Sequence, residues 1–160
     1  MTSEITEISA CPGAADMSAY TAEFVRRLVL RSRLPLDYSV RSLRIVDRVV
    51  DGLRADDADR ARMAAVLRGL GAYAGEVFVR QAGARWVDFD ETTAALFQQS
   101  VGVRMPDGRA WNPLGKVVNR FELGPRESVS ELFLLLHGRV RPAEHRQGRA
   151  LTGCGTGRPA

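Results

Sequence analysis

The stretch Leu70-Gly71-Ala72-Tyr73-Ala74-Gly75-Glu76-Val77 decides how the rest of the chain is read. It falls inside a run from about Ala58 to Gln81 in which Met63, Val66, Leu67, Leu70, Ala74, Val77 and Phe78 recur at three- and four-residue steps, the period of a helix. Gly71 and Gly75 are four apart and share a face of that helix. Glycine inside a helix costs about 0.8–1 kcal/mol relative to alanine, so close approach of another backbone is the expected compensation. Glu76 is the only charge between Leu70 and Val79, with Arg80 one turn further on. The structural reading is an i,i+4 ion pair, worth about 0.3–0.5 kcal/mol when exposed. The functional reading is a partly buried carboxylate aimed into a cleft, with Tyr73 and Trp86 shaping its walls.

Working outward toward the N-terminus, two more helices are expected. Tyr20, Phe24, Val25, Leu28 and Val29 form one stripe, flanked by Arg26, Arg27, Arg31 and Arg33. Such a basic amphipathic helix suits a membrane surface, but Glu23 interrupts the charge and a solvated face is the simpler reading. Pro35 closes this helix. Asp37 and Ser39 offer caps for the next, whose inner face is Val40, Leu43, Val46, Val50 and Leu53. Asp56, Asp57 and Asp59 then crowd the start of the central helix, where carboxylates suit the positive end of the dipole.

Toward the C-terminus the period changes. Arg85-Trp86-Val87-Asp88-Phe89 alternates as a strand does, and Val101 to Met105 alternates again. Pro106-Asp107-Gly108 is turn chemistry, so Arg109-Ala110-Trp111 returns as the second arm of a hairpin. Residues 90 to 98 read either as a short helix capped by Asp90 or as a loop. Asn112-Pro113 suits the cap and first position of a helix carrying Leu114, Val117, Val118 and Phe121 inward and stopping at Gly124. Ser128-x-x-Glu131 is a capping box opening a last helix with Val129, Leu132, Phe133 and Leu136, which Gly138 closes. Strands bracketed by runs of helices indicate a single α+β domain, with N-terminal helices packed on a small antiparallel sheet and helices again at the C-terminal end. The boundaries expected are a disordered leader over 1–16, the domain over 17–138 and a disordered Arg-, Gly- and Pro-rich tail over 139–160.

The chain has 160 residues and a formal net charge of +4. Lys116 is its only lysine, and this arginine bias is a codon pattern of a high-GC bacterial genome before it is evidence for phosphate recognition. The tail carries Arg139, Arg141, Arg146, Arg149 and Arg158 against Glu144, which accounts for the whole of that +4. A basic total therefore does not argue for a nucleic-acid face on the body. Binding of nucleic acid, if any, is expected through the tail. No apolar run approaches the roughly 20 residues needed to cross a bilayer, and Met1 to Asp16 has no basic residue to start a signal peptide. Cys11 and Cys154 lie near the two ends with no Cys-x-x-Cys pair, so reduced, idle thiols in a cytoplasmic protein are expected.

Catalytic sets are missing from the pattern. His145 lies in the tail and His137 at the end of the last helix, where it complements the dipole. No His-x-x-x-His or Cys–His cluster predicts a metal site, and neither common nucleotide-binding glycine motif occurs, so no metal, cofactor or catalytic residue is expected. Trp86 and Trp111 sit on separate strands and read as sheet cover; exposed together on one face, they would stack a base or grip a peptide. The series Gly71-x-Tyr73-x-Gly75-Glu76-Val77, Trp86, Pro106-Asp107-Gly108-Arg109, Asn112-Pro113-Leu114, Val117-x-Asn119-Arg120, Gly124 and Ser128 resembles an uncharacterised family of small bacterial proteins. In that family a Gly-x-Tyr-x-Gly-Glu helix precedes a tryptophan strand, a short hairpin and an Asn-Pro or Asp-Pro helix. The resemblance spans about residues 36 to 136, implies an α+β build and carries over no catalytic residue. The function expected is a non-enzymatic module for a protein partner, of open oligomeric state. The alternatives are a small-ligand binder or weak enzyme using Tyr73, Glu76, Trp86 and Trp111, and nucleic-acid binding through the tail.

Overall fold

Ten consecutive residues of the central helix, 69 to 78, are buried, so this segment has no outward face and most of the other elements pack around it. The computed structural model describes residues 11–55 and 60–140. The expectations for residues 1–10, for Asp56, Asp57 and Asp59, and for the tail beyond Val140 with His145 and Cys154 lie outside the described residues.

In chain order the elements are α1 (Met17–Ser32), α2 (Leu43–Ala55), α3 (Arg60–Ala82), β1 (Arg85–Asp88), α4 (Glu91–Phe97), β2 (Val101–Arg104), β3 (Ala110–Trp111), α5 (Pro113–Leu123) and α6 (Val129–Val140). The three strands form an antiparallel meander in the order β1-β2-β3. Helices before, within and after this small sheet make a single α+β domain, with the sheet and α5 packed on α3.

Local chemistry explains the boundaries. Arg33 adopts the left-handed conformation (φ 52°) and donates its N–H to the Val29 carbonyl, ending α1 before Pro35 is reached. Ser39 caps a short 3-10 turn, Val40–Ser42, rather than α2 itself, which begins one step later. Residues 90 to 98 resolve as a helix: the Asp90 carboxylate accepts from the Thr93 N–H at 2.7 Å, and Gln98 ends it with φ 53°. Asn112 caps α5 by accepting from Gly115 N at 2.8 Å, with Pro113 in the first turn. Gly108, at φ 88°, supplies the left-handed corner of the β2–β3 hairpin.

Two boundaries differ from expectation. The folded body begins before Met17: Ala14–Asp16 form a 3-10 turn, and the Ala14 N–H donates to Asp88 Oδ1 at 2.9 Å. At the other end α6 runs through Gly138 to Val140, so His137 sits inside the last turns, its ring stacked on Phe133 at 5.6 Å.

The glycines of α3 are where neighbours come closest. A Cβ on Gly71 would lie 2.6 Å from the Cα of Leu114, so the backbone of α5 rests directly on α3 there. At Gly75 the neighbours are instead the Trp86 ring and Pro113, and at Gly69 the ring of Phe24 from α1. Gly71→Ala drives a methyl into backbone that cannot swing aside, and a loss of about 1–3 kcal/mol is expected. Gly52→Ala, on an exposed turn of α2 with nothing within 4 Å of the added carbon, is expected to gain about 0.5–1 kcal/mol. Chemical denaturation midpoints of the two variants against the parent chain check both signs.

Candidate functional site

α3 carries Tyr73 and Glu76 one turn apart, and β1 brings Trp86 against Glu76. Glu76 is 4% exposed. Its Oε2 accepts from Ser18 Oγ at 2.9 Å and from Trp86 Nε1 at 3.1 Å, while its Oε1 accepts from Arg80 Nε at 3.0 Å. The ion pair expected with Arg80 and the contact expected with Trp86 both form, on one carboxylate. Three donors from α1, α3 and β1 thus occupy both oxygens, the pairing that a buried carboxylate requires.

Tyr73 is fully buried and faces the segment between α1 and α2. Its hydroxyl accepts from the Tyr38 N–H at 2.9 Å and lies 2.6 Å from Ser42 Oγ. Tyr38 needs that support, because it holds a left-handed backbone (φ 60°) that costs a side-chain-bearing residue about 1–2 kcal/mol. Its carbonyl accepts from Gln81 Nε2 at 3.0 Å, and the Arg80 guanidinium lies over its ring at 3.7 Å. Burial pushes the Tyr73 hydroxyl above the usual tyrosine range.

Trp86 and Trp111 are both paired across the sheet with Val103, so all three side chains share one face. That face is the inner one: Val103 is fully buried, and both indoles pack against the core. Trp111 stands apart from the Glu76 cluster. Its Nε1 is buried without a hydrogen-bond partner, and its ring lines a groove of about 640 Å³ among α4, α5 and α6. A second groove, of about 580 Å³, lies along the seam of α1 and α3. Neither groove has Tyr73, Glu76 or Trp86 in its wall.

A second polar cluster was not singled out from the sequence. Asp47, on the inner face of α2, is 7% exposed, and Arg120 of α5 is 6% exposed. Asp47 Oδ2 accepts from Ser128 Oγ (2.7 Å) and Ser130 N (3.3 Å), and Oδ1 accepts from Val129 N (3.0 Å). A carboxylate from α2 therefore satisfies the orphan amides that open α6, where the helix dipole favours it. Ser128 Oγ accepts in turn from Glu131 N at 3.1 Å, the serine half of the expected capping box. Arg120 Nε is 3.5 Å from Asp47 Oδ1, Nη2 donates to Asp51 Oδ2 at 2.8 Å, and Nη1 donates to the Pro125 carbonyl at 2.9 Å. The signal was present in the pattern: Asp47 is one turn after Leu43 and next to Val46, on the stripe assigned to the core. Among the described residues, no group of three or more His, Cys, Asp or Glu side chains is placed to share a metal ion. No helix there is long and apolar enough to cross a membrane.

The class defined by this geometry is a single α+β domain in which Glu76, Tyr73, Asp47 and Arg120 are tied to partners inside the fold. Against family models, curated proteins and solved structures the chain finds no match.

Asp47→Ala leaves the Arg120 charge buried beside Asp51 alone and strips the cap from α6, and a loss of about 3–5 kcal/mol is expected in urea titrations. For Tyr73 the sign is opposite to that of a paired carboxylate. A tyrosine raised in the folded state contributes stability below its unfolded value near pH 10, and that contribution is lost as pH climbs above it. Tyr73→Phe should cost about 1–3 kcal/mol at neutral pH by leaving the Tyr38 N–H unmet. It should also make the alkaline fall in stability shallower, although not flat, since burial raises Tyr20 and Tyr38 too. Urea midpoints measured from pH 7 to 11 check both effects.

Proposed function

We propose that the chain is a non-enzymatic protein-interaction module whose working surface is the leucine-bearing face of α4 and α6. The observation that carries this reading is the outward display of leucine around the groove among α4, α5 and α6. Leu96 on α4 is 77% exposed, and Leu134 and Leu135 on α6 are 54% and 60% exposed. Leu96 and Leu132 line the same groove, and Leu135 stands one helical turn beyond Leu132. Burying an exposed leucine completely yields about 1.5–3 kcal/mol, so several on one surface are a substantial reservoir for association. Isolated exposed leucines are ordinary; here Leu96 lines the groove itself, and Leu134 and Leu135 add exposed apolar surface on α6 outside its lining.

The polar chemistry supports the same reading. Glu76, Asp47, Arg120 and Tyr73 are each engaged by partners inside the fold, so their hydrogen-bonding capacity serves structure. Trp111 lines the leucine groove but not the Glu76 cluster, which gives it a place in partner binding rather than in a shared pocket with Tyr73 and Trp86.

A photo-crosslinking residue placed at Leu96 or Leu135 in the native host is expected to capture one discrete protein, and the same residue at exposed Arg85 on β1 to capture none. Leu134→Ser with Leu135→Ser should abolish the adduct formed through Leu96 while changing stability by no more than about 0.5 kcal/mol. Equal labelling from Arg85, or no adduct from either leucine, counts against the reading.

A further inference from the structure

The near-neutral charge of the body conceals a separation that α2 makes. This helix and the 3-10 turn leading into it carry Arg41, Arg44, Arg48 and Arg54 against Asp47 and Asp51. Both carboxylates are taken by partners from other elements: Asp47 caps α6, and Asp51 Oδ2 accepts from Arg120 Nη2 at 2.8 Å. Arg120 and the positive end of the α6 dipole offset these two charges. Asp37, ahead of the turn, accepts from the Ser39 N–H at 2.9 Å and is the carboxylate on which the Arg41 charge acts. Arg41, Arg44 and Arg48 are exposed and make no hydrogen bond or ion pair among the described residues.

We propose that this outer face of α2 holds the phosphate backbone of a nucleic-acid duplex without reading its sequence. Arg44 and Arg48 are neighbours one turn apart, and Arg41 continues their line into the turn before. From Arg41 to Arg48 the line runs for about 10 Å at about 1.5 Å per residue. One strand of a duplex sets a phosphate every 3.4 Å or so along its axis, so about three phosphates lie over three guanidiniums. The guanidinium fork matches phosphate oxygens bidentately. Gly52, on the turn after Arg48, has nothing within 4 Å of an added Cβ, so no side chain there holds a strand away.

Other anionic occupants need groups that this face does not offer. A bilayer interface takes helices with large apolar side chains outermost, and protein interfaces are anchored by buried aromatic or apolar groups. The strongly exposed large hydrophobics among the described residues are Leu30, Leu96, Leu123, Leu134 and Leu135, on α1, α4, α5 and α6. Ile45 and Val49, beside the arginine row, pack against the core. A single strand is held by stacking its bases on aromatic rings, and α2 carries none. Attraction between guanidinium and phosphodiester is what this face supplies, the sequence-independent part of nucleic-acid binding. Beyond Val140 the chain adds Arg141, Arg146, Arg149 and Arg158 against Glu144, and α6, from which that run continues, packs against α2 and its leading turn. The arginine face is separate from the leucine face proposed above, so either can fail while the other stands.

The test uses the full chain with fluorescein-labelled DNA and RNA duplexes of about 20 bp, read by anisotropy from about 50 to 200 mM salt. Binding with Kd on the order of micromolar at the low-salt end is expected, equal for two duplexes of unrelated sequence. Either duplex satisfies the proposal, and the tighter one identifies the nucleic acid. Each phosphate contact contributes about 0.9 to the slope of log K against log salt, so Arg44→Gln with Arg48→Gln should flatten it by about two. Affinity at low salt should fall by about tenfold or more. Arg44→Lys with Arg48→Lys should keep the slope. Arg31→Gln with Arg85→Gln, which removes two exposed charges elsewhere, should leave it unchanged. All four positions are exposed, so circular dichroism of the variants should match the parent. Five results overturn the proposal: no salt-dependent binding of either duplex; equal flattening by the α2 pair and the control pair, which leaves net charge alone; a slope kept in the α2 pair but lost when the four arginines beyond Val140 become glutamine; polyglutamate bound as tightly as duplex through Arg44 and Arg48, which makes the face a contact for acidic protein; and Arg44-dependent binding of phosphatidylglycerol vesicles without binding of duplex, which makes it a membrane contact.

Discussion

A helix segment with no outward face must be surrounded, and residues 69 to 78 of α3 impose that condition on everything else. Burial on all sides requires side chains small enough for neighbours to reach the helix, and Gly69, Gly71 and Gly75 provide the contact points for α1, α5 and β1. Each interior glycine costs about 0.8–1 kcal/mol in helix propensity, roughly 3 kcal/mol for the three. The return is direct packing of a backbone and two aromatic rings on the helix axis, with Phe78, Tyr73, Leu70 and Val77 filling the remaining directions as fully buried side chains.

The polar groups caught inside this arrangement act as registration points. Glu76 cannot be desolvated without donors, and those donors come from Ser18 and Trp86 as well as from its own helix. Asp47 reaches across 81 to 83 residues of sequence to the start of α6. Sliding α6 along α2 by one residue would leave the Asp47 carboxylate and the first amides of α6 unpaired together, which makes a slipped packing expensive. Arg120 extends the same tie to α5 and to the carbonyl of Pro125. The two clusters share no residue and together fix how the helices around α3 are placed.

Much of this was legible in the residue pattern, and the limits follow from how patterns work. Period-3.6 stripes located α1, α2, α3, α5 and α6, because a helix that buries one face must write that face into its sequence. The alternation of β1 and β2, and the Pro106-Asp107-Gly108 turn, marked the hairpin for the same reason. The burial and pairing of Asp47 and Arg120 escaped because charge on a helix is normally a sign of the solvated face, and only their partners some eighty and seventy positions away reverse that meaning. Gly69 was hidden between Arg68 and Leu70, where no spacing argument separates it from an exposed position. Glu76 and Trp86 do meet in one hydrogen bond, yet residue types alone do not say whether a carboxylate beside an indole faces a cavity or donors from its own fold. That distinction rests on Ser18, which belongs to a helix nearly sixty residues earlier.

The same glycine logic shapes the surface. Phe24 lies against α3 where Gly69 has no side chain, and a Cβ there would meet its ring. An alanine or larger residue would lift Phe24 away from the seam and fill the channel between the helices. Because Phe24 lies low, Tyr20 and Leu28 on either side of it become the floor of an open groove, while Arg27 and Arg31, one position further round α1, remain at its edge. The depth of that groove and the charge of its rim are thus consequences of how α1 is allowed to approach the buried helix. A requirement of the core, that α3 be reached closely on every side, produces a channel in which half-buried aromatic side chains and exposed guanidiniums run parallel.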